Sequence, residues 1–177
     1  ESVRDRCTKA HEYLFLLSKS ERYHYDADAI AEPMAASSIP RLQQDVEHQI
    51  GTTRANGGAK TNGNFKAAGD VESGMRNRRS VWEVATQPFS EAHFATFPPA
   101  LIEPCIKAGC PVGGTVLDPF GGAGTTGLVA DRLSRNAILI ELNPVYAAMA
   151  EQRICKEAGM LADVRMETTA LEVGAKV

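Results

Sequence analysis

The stretch from Thr115 to Glu141 constrains this chain more than any other. It opens with Thr115-Val116-Leu117-Asp118, whose apolar pair starts a short strand. Pro119-Phe120-Gly121-Gly122-Ala123-Gly124-Thr125-Thr126-Gly127 follows, then a helix-like run to Asn136, then Ala137-Ile138-Leu139-Ile140-Glu141. The glycines break the strand into a tight turn, because only Gly accepts positive φ freely and lets a ligand approach the backbone. A helix is expected to open at Thr125 or Thr126, with its free N–H groups facing whatever sits over the glycines. The second apolar run ends in one carboxylate, Glu141. Together these pieces make half of a βαβ unit. In such units the acid at the tip of the second strand accepts hydrogen bonds from the two hydroxyls of a ribose.

Two ligands fit that pattern. Gly122-Ala123-Gly124-Thr125-Thr126-Gly127 matches the G-x-G-x-x-G of dinucleotide sites, which points to an NAD-type oxidoreductase domain. The residues before it point elsewhere. Asp118-Pro119-Phe120-Gly121 sets a carboxylate beside the glycines, where it repels a pyrophosphate and attracts a cation. S-adenosylmethionine carries a sulfonium and an ammonium and no phosphate, so Asp118 near its methionine end and Glu141 on its ribose suit it better than NAD.

The run Asp118-Pro119-Phe120-Gly121-Gly122-Ala123-Gly124-Thr125-Thr126, followed by Ile140-Glu141-Leu142-Asn143-Pro144-Val145-Tyr146, resembles the cofactor motif of the amino-group DNA methyltransferases. That family methylates the exocyclic nitrogen of adenine or cytosine in double-stranded DNA. A second segment, His11-Glu12-Tyr13-Leu14-Phe15 with Tyr23-His24-Tyr25-Asp26, is similar to the family's sequence just before its target-recognition region. The resemblance covers about residues 3–158. It implies an α/β, Rossmann-like methyltransferase sheet that is incomplete in this chain, with a polar, basic insert. It also implies S-adenosylmethionine as cofactor, held by Phe97, Pro98, Asp118, Pro119, Phe120, Gly121, Gly122, Gly124, Thr125, Thr126, Glu141 and Asn143. Phe97-Pro98 is then expected to close over the far end of the cofactor. The implied setting is the cytoplasm of a bacterium, with a bacterial or phage enzyme of restriction and modification.

Length and composition agree with one globular domain: 177 residues, 44% hydrophobic and 23% charged. Within it three parts are expected. Residues 1–33 carry a continuous apolar run, Glu12–Leu17, that reads as a buried strand, then a hairpin return at Tyr23–Tyr25 and a short helical start capped by Asp26. Residues 34–79 lose apolar periodicity and gain Gly, Asn and Ser, which reads as a mobile insert and the place where the family reads DNA. Seven basic residues face four acidic ones there, against a net charge of −3 for the whole chain. Arg54, Lys60, Lys66, Arg76, Arg78 and Arg79 are the candidate phosphate contacts. Residues 80–177 form the cofactor-binding core. That core begins with a strand around Val81–Val84 carrying Trp82, and continues with a helix from about Thr96 to Gly109 buried through Leu101, Ile102, Cys105 and Ile106. A second helix is expected from Asn143 to Ala158, with Tyr146, Ala147, Ala150 and Ile154 on its inner face, and an edge strand at Val164–Met166.

The four cysteines, Cys7, Cys105, Cys110 and Cys155, make no C-x-x-C pair, so no metal site is expected and reduced thiols are. No apolar run is long enough to suggest a membrane span. One part of the family pattern is missing. The catalytic tetrapeptide, Asp/Asn/Ser-Pro-Pro-Tyr/Phe, holds a flipped base by hydrogen bonds to its amino group and by stacking. It does not occur here. Asn143, Pro144 and Tyr146 are the nearest match, but they fall where a helix start is expected, so no catalytic residue is assigned. The chain also begins with Glu1 rather than Met. It is therefore expected to be a cofactor-binding half without activity of its own, needing an upstream catalytic segment or a second polypeptide, with a homo-oligomer a further option. A non-catalytic DNA-binding subunit is the remaining alternative.

Overall fold

The computed structural model describes residues 4–5, 7–8, 10–43, 73–86, 96–158 and 162–167. Among them the order is a 3-10 turn at Asp28–Ile30, β1 (Glu32–Pro33), α1 (Ile39–Leu42), β2 (Met75–Arg76), α2 (Pro99–Gly109), β3 (Thr115–Asp118), α3 (Thr125–Arg132), β4 (Asn136–Leu139) and α4 (Pro144–Glu157). This is a mixed α/β arrangement. Strands β3 and β4 run parallel, with Thr115 opposite Asn136 and Asp118 opposite Leu139. Parallel neighbours require a crossover, and α3 supplies it. Among the described residues β3 pairs with β4 alone, so its other edge is open.

The core lies between α2, α3 and the inner face of β3. Ile106 and Cys110 of α2 meet Val129 and Ala130 of α3, with Ile102, Val116 and Leu133 packed around them. Leu128 is wholly buried. Removing such a side chain from water is worth about 1.5–3 kcal/mol. On the opposite face of the sheet, among the described residues, Leu117, Ile138 and Ile140 point outward and remain more than half exposed. Helix α2 starts later than its sequence suggests, at Pro99 rather than about Thr96, with Pro98 as cap and Pro99 in the first turn. Pro104 neither shortens nor ends it. Its buried residues are Pro104, Ile106 and Ala108, while Leu101, Ile102 and Cys105 are only half-buried. The face is rotated because α2 also receives the segment before the 3-10 turn, where the Asp26 N–H donates to the Ala108 carbonyl at 2.9 Å.

Several expected elements differ. Glu12–Leu17 forms no strand, and Phe15 and Leu17 are 80% and 87% exposed. An apolar run becomes a buried strand only when a neighbour offers backbone partners, and no described strand lies beside it. Tyr23–Tyr25 likewise makes no hairpin, its two tyrosine rings meeting edge to face. Val81–Val84 and Val164–Met166 form no strand among the described residues. Asp26 does act near the helical start, accepting from the Ala29 N–H at 2.9 Å. Most of the insert, residues 44–72, lies outside the described residues, and so do its Arg54, Lys60 and Lys66.

The base of the insert is closed by the antiparallel pair β1–β2, in which Glu32 faces Arg76. The Met34 N–H adds a bond to the Gly74 carbonyl at 2.9 Å. Glu32 Oε1 accepts from both Arg76 and Arg79, at 3.0 and 2.7 Å. Desolvation pushes the Glu32 carboxyl up, but the Arg79 hydrogen bond and the Arg79 and Arg76 charges outweigh it and hold it below the ordinary carboxylate value. The pairing is therefore intact at neutral pH and is lost as acid protonates Glu32. Arg78 lies over the Trp82 ring at 4.7 Å, and the Trp82 indole donates to the Arg79 carbonyl at 2.7 Å.

The four thiols are free and unequally placed: Cys7 and Cys155 are exposed, Cys105 is half-buried and Cys110 is buried. Burial pushes the Cys105 thiol up, against the opposing charge of Arg78. Since the thiolate is the reactive form, iodoacetamide applied to the native protein is expected to label Cys7 and Cys155 well before Cys105. Peptide mass spectrometry over a time course checks this. Cys105 labelling as fast as Cys7 would show that the α2 packing is wrong.

Candidate functional site

The site is built at the end of β3. One oxygen of Asp118 accepts from the Phe120 N–H at 2.9 Å, closing a side-chain turn, and the other accepts from the Thr126 hydroxyl at 2.6 Å. Asp118 thus ties the strand end to the first turn of α3. The Gly121 N–H donates to the Ile140 carbonyl and the Gly124 N–H to the Gly121 carbonyl, both at 2.8 Å. Gly124 caps α3 at φ +75°, a conformation that costs other residues about 1–2 kcal/mol. No side chain caps α3, so its first N–H groups are open to a ligand or to water.

Glu141 lies just beyond β4. Its two oxygens accept from the Gly122 N–H and the Asn143 N–H, each at 2.8 Å. Asn143 then caps α4, its side-chain oxygen accepting from the Val145 N–H at 2.9 Å, with Pro144 in the first turn. Asn143-Pro144 therefore does the work of a helix start. An open cleft of about 340 Å³ lies over the turn, lined by Thr96, Phe97, Phe120, Gly121, Gly122, Ala123, Thr125, Glu141 and Tyr146. That volume is at the low end for a small-molecule site.

Six of the twelve expected cofactor residues line the cleft: Phe97, Phe120, Gly121, Gly122, Thr125 and Glu141. Pro98, Asp118, Pro119, Gly124, Thr126 and Asn143 do not line it. Of these, Pro98 and Asn143 cap helices, Asp118 and Thr126 bond each other, and Gly124 faces α4. Tyr146, expected to pack along the α4 stripe, also reaches the cleft, because the stripe turns toward the glycines at the start of that helix. Of the candidate phosphate contacts, Arg76 and Arg79 bind Glu32, and Arg78 stacks on Trp82. Thr96 and Ala123 were not anticipated in the lining. Nor was Arg153, which donates to the Ala123 carbonyl and the Thr125 hydroxyl at 3.1 Å. Its signal was its place three residues after Ala150, on the flank of the inner stripe of α4.

Among the described residues, no three of His, Cys, Asp and Glu come together to hold a metal ion, and no helix is long and apolar enough to cross a membrane.

A family model described as DNA methylase matches residues 1–152. The type II methyltransferase M.SmaI of Serratia marcescens is 40% identical over 156 residues, covering 88% of this chain and 42% of that protein. The type II methyltransferase M.XycI of Xanthomonas campestris pv. cyanopsidis is 44% identical over 154 residues, covering 87% of this chain and 39% of that protein. The chain thus spans about two-fifths of the length of these curated relatives. A solved M1.HpyAVI–SAM complex is 33% identical, covering 44% of this chain and 39% of that one, with a TM-score of 0.39.

The close packing under the turn gives a direct test. A Cβ added at Gly124 would lie 2.9 Å from the Ala150 Cβ, in a backbone conformation that strains any L side chain. Gly124→Ala is expected to lower stability by about 2–4 kcal/mol, combining left-handed strain with overpacking. Urea unfolding followed by circular dichroism measures it. A loss below 0.5 kcal/mol, roughly that of an ordinary surface change, would contradict the packing of α4 on the turn.

Proposed function

Since this chain belongs to the DNA methylase family, we propose that it is the cofactor-binding part of a site-specific DNA methyltransferase. The whole enzyme would move a methyl group from S-adenosylmethionine to the exocyclic amino nitrogen of adenine or cytosine in double-stranded DNA. The observation that carries this reading is Glu141 at the edge of the glycine turn. Each carboxylate oxygen has two acceptor positions. The Gly122 and Asn143 N–H groups use one on each oxygen, so one remains on each for the two hydroxyls of a ribose. The carboxylate is oriented before any ligand arrives, which lowers the entropy cost of binding. Gly121 and Gly122 let the ligand approach the backbone, and Phe97, Phe120 and Tyr146 supply apolar and stacking surface around it. When bound, the cofactor supplies a methyl group activated on a sulfonium sulfur.

The groups that would hold the target base belong to a tetrapeptide this chain does not contain. Positioning and electrostatics at the amino nitrogen are the larger part of such catalysis. We therefore assign that step to an upstream segment or a second polypeptide. In this reading residues 34–79 supply the DNA-reading insert, clamped at its base by β1 and β2. The open edge of β3 is where the missing part of the sheet would pair.

Calorimetry with S-adenosylmethionine tests the cofactor. Glu141→Ala is expected to weaken binding by roughly 1.5–3 kcal/mol, the worth of hydrogen bonds to a charged group. Unchanged affinity in that variant, or tighter binding of NAD than of the methyl donor, would overturn the assignment.

Transfer of tritiated methyl to DNA tests the division of labour. The chain alone is expected to give no label. Mixing with a separately expressed upstream segment bearing a Pro-Pro-Tyr-type tetrapeptide is expected to restore it. Label from the chain alone that disappears in Asn143→Ala would instead make Asn143-Pro144-Val145-Tyr146 the catalytic motif.

A further inference from the structure

Side chains of opposite charge hold the glycine turn from two sides. Toward the cleft, Glu141 accepts from the Gly122 N–H at 2.8 Å. On the other side, a single nitrogen of Arg153, Nη1, donates to the Ala123 carbonyl and to the Thr125 hydroxyl, both at 3.1 Å. The Arg153 side chain is 11% exposed and does not line the cleft. Its Nε is held 3.4 Å from Glu157, which also binds Arg132 at the end of α3. Arg153 is therefore anchored at its base and reaches the turn from behind.

The peptide it grips is the vulnerable one. Ala123 sits between Gly122 and Gly124, both at positive φ. A peptide followed by glycine can rotate as a unit at little cost, because glycine tolerates the φ that results. Rotation of the Ala123–Gly124 peptide would pull the Gly124 N–H off the Gly121 carbonyl, which it meets at 2.8 Å. It would also turn the Ala123 carbonyl, now held against α4, toward the cleft. The backbone bond pins one end of this peptide and Arg153 pins the other.

We infer that Arg153 is a positioning residue for the methyl donor, fixing the Ala123–Gly124 peptide so that the turn presents a constant surface to the ligand. This rests on the reading of the cleft as an S-adenosylmethionine site. Arg153 touches no ligand in this role. It acts through Ala123 and Thr125, both of which line the cleft.

The test is a graded series, Arg153→Lys, Arg153→Gln and Arg153→Met, in the full chain, with Cys155→Ser on the exposed side of α4 as control. S-adenosylmethionine affinity is measured by calorimetry, thermal stability by circular dichroism, and exchange of the Gly124 amide by nuclear magnetic resonance. Arg153→Met is expected to weaken binding about tenfold, the low end of what outer supporting groups contribute around metal ligands, and to speed Gly124 exchange. Arg153→Lys is expected to recover most of the affinity, because one ammonium can serve both acceptors that one Nη1 serves, and Arg153→Gln to fall between. Should Arg153→Met fail to fold, the lysine and glutamine variants still decide. Wild-type affinity in both, or equal loss in both with no change at Gly124, overturns the inference. A wild-type chain that binds no methyl donor overturns the functional reading instead, so the two failures are distinguishable.

Discussion

The carboxylate of Glu141, bridging the Gly122 and Asn143 N–H groups, is the joint on which the rest of this structure turns. It links three elements at one point: the end of β4, the turn after β3 and the start of α4. A carboxylate accepting two backbone N–H bonds is a strong, directional connection. It also explains why the acid stands two residues past the end of β4 rather than within it. From there the carboxylate reaches both the turn and the next helix.

Small residues allow that joint to close. A Cβ on Gly121 would lie 2.9 Å from the Leu139 side chain, and one on Gly127 would be 2.9 Å from Ile154 and 3.0 Å from Leu139. The sequence of the turn thus satisfies two demands at once. It leaves the turn open to the cleft on one side, and it lets β4 and α4 come close on the other. Asp118 serves the same geometry by spending both oxygens on the turn and on Thr126.

One side of the two-stranded sheet is exposed among the described residues. The sheet consists of β3 and β4 among the described residues, with helices on one face and exposed Leu117, Ile138 and Ile140 on the other. The apolar run Tyr13–Leu17 is exposed as well. Among the described residues, exposed apolar residues on a sheet face, an open parallel edge and an exposed apolar segment are complementary features. Each is costly alone and would be relieved by further strands.

By itself the sequence determined what depends on neighbours along the chain. The turn at Gly121–Gly124, the start of α3 at Thr125, the cap of α4 at Asn143 and the prolines at the start of α2 follow from φ preference, missing donors and short side chains. All act within a few residues. Tertiary structure alone decided what depends on partners distant in sequence. Glu12–Leu17 has strand composition, but a strand exists only where another backbone meets it. Arg153 flanks the inner stripe of α4, but its place along the helix does not say that its guanidinium reaches Ala123, thirty residues earlier in the chain. Arg76 and Arg79 read as candidate phosphate contacts, and only the fold shows that Glu32 of β1 lies within reach of both. Local stereochemistry is written residue by residue, whereas pairing and charge compensation are settled only when the chain folds back on itself.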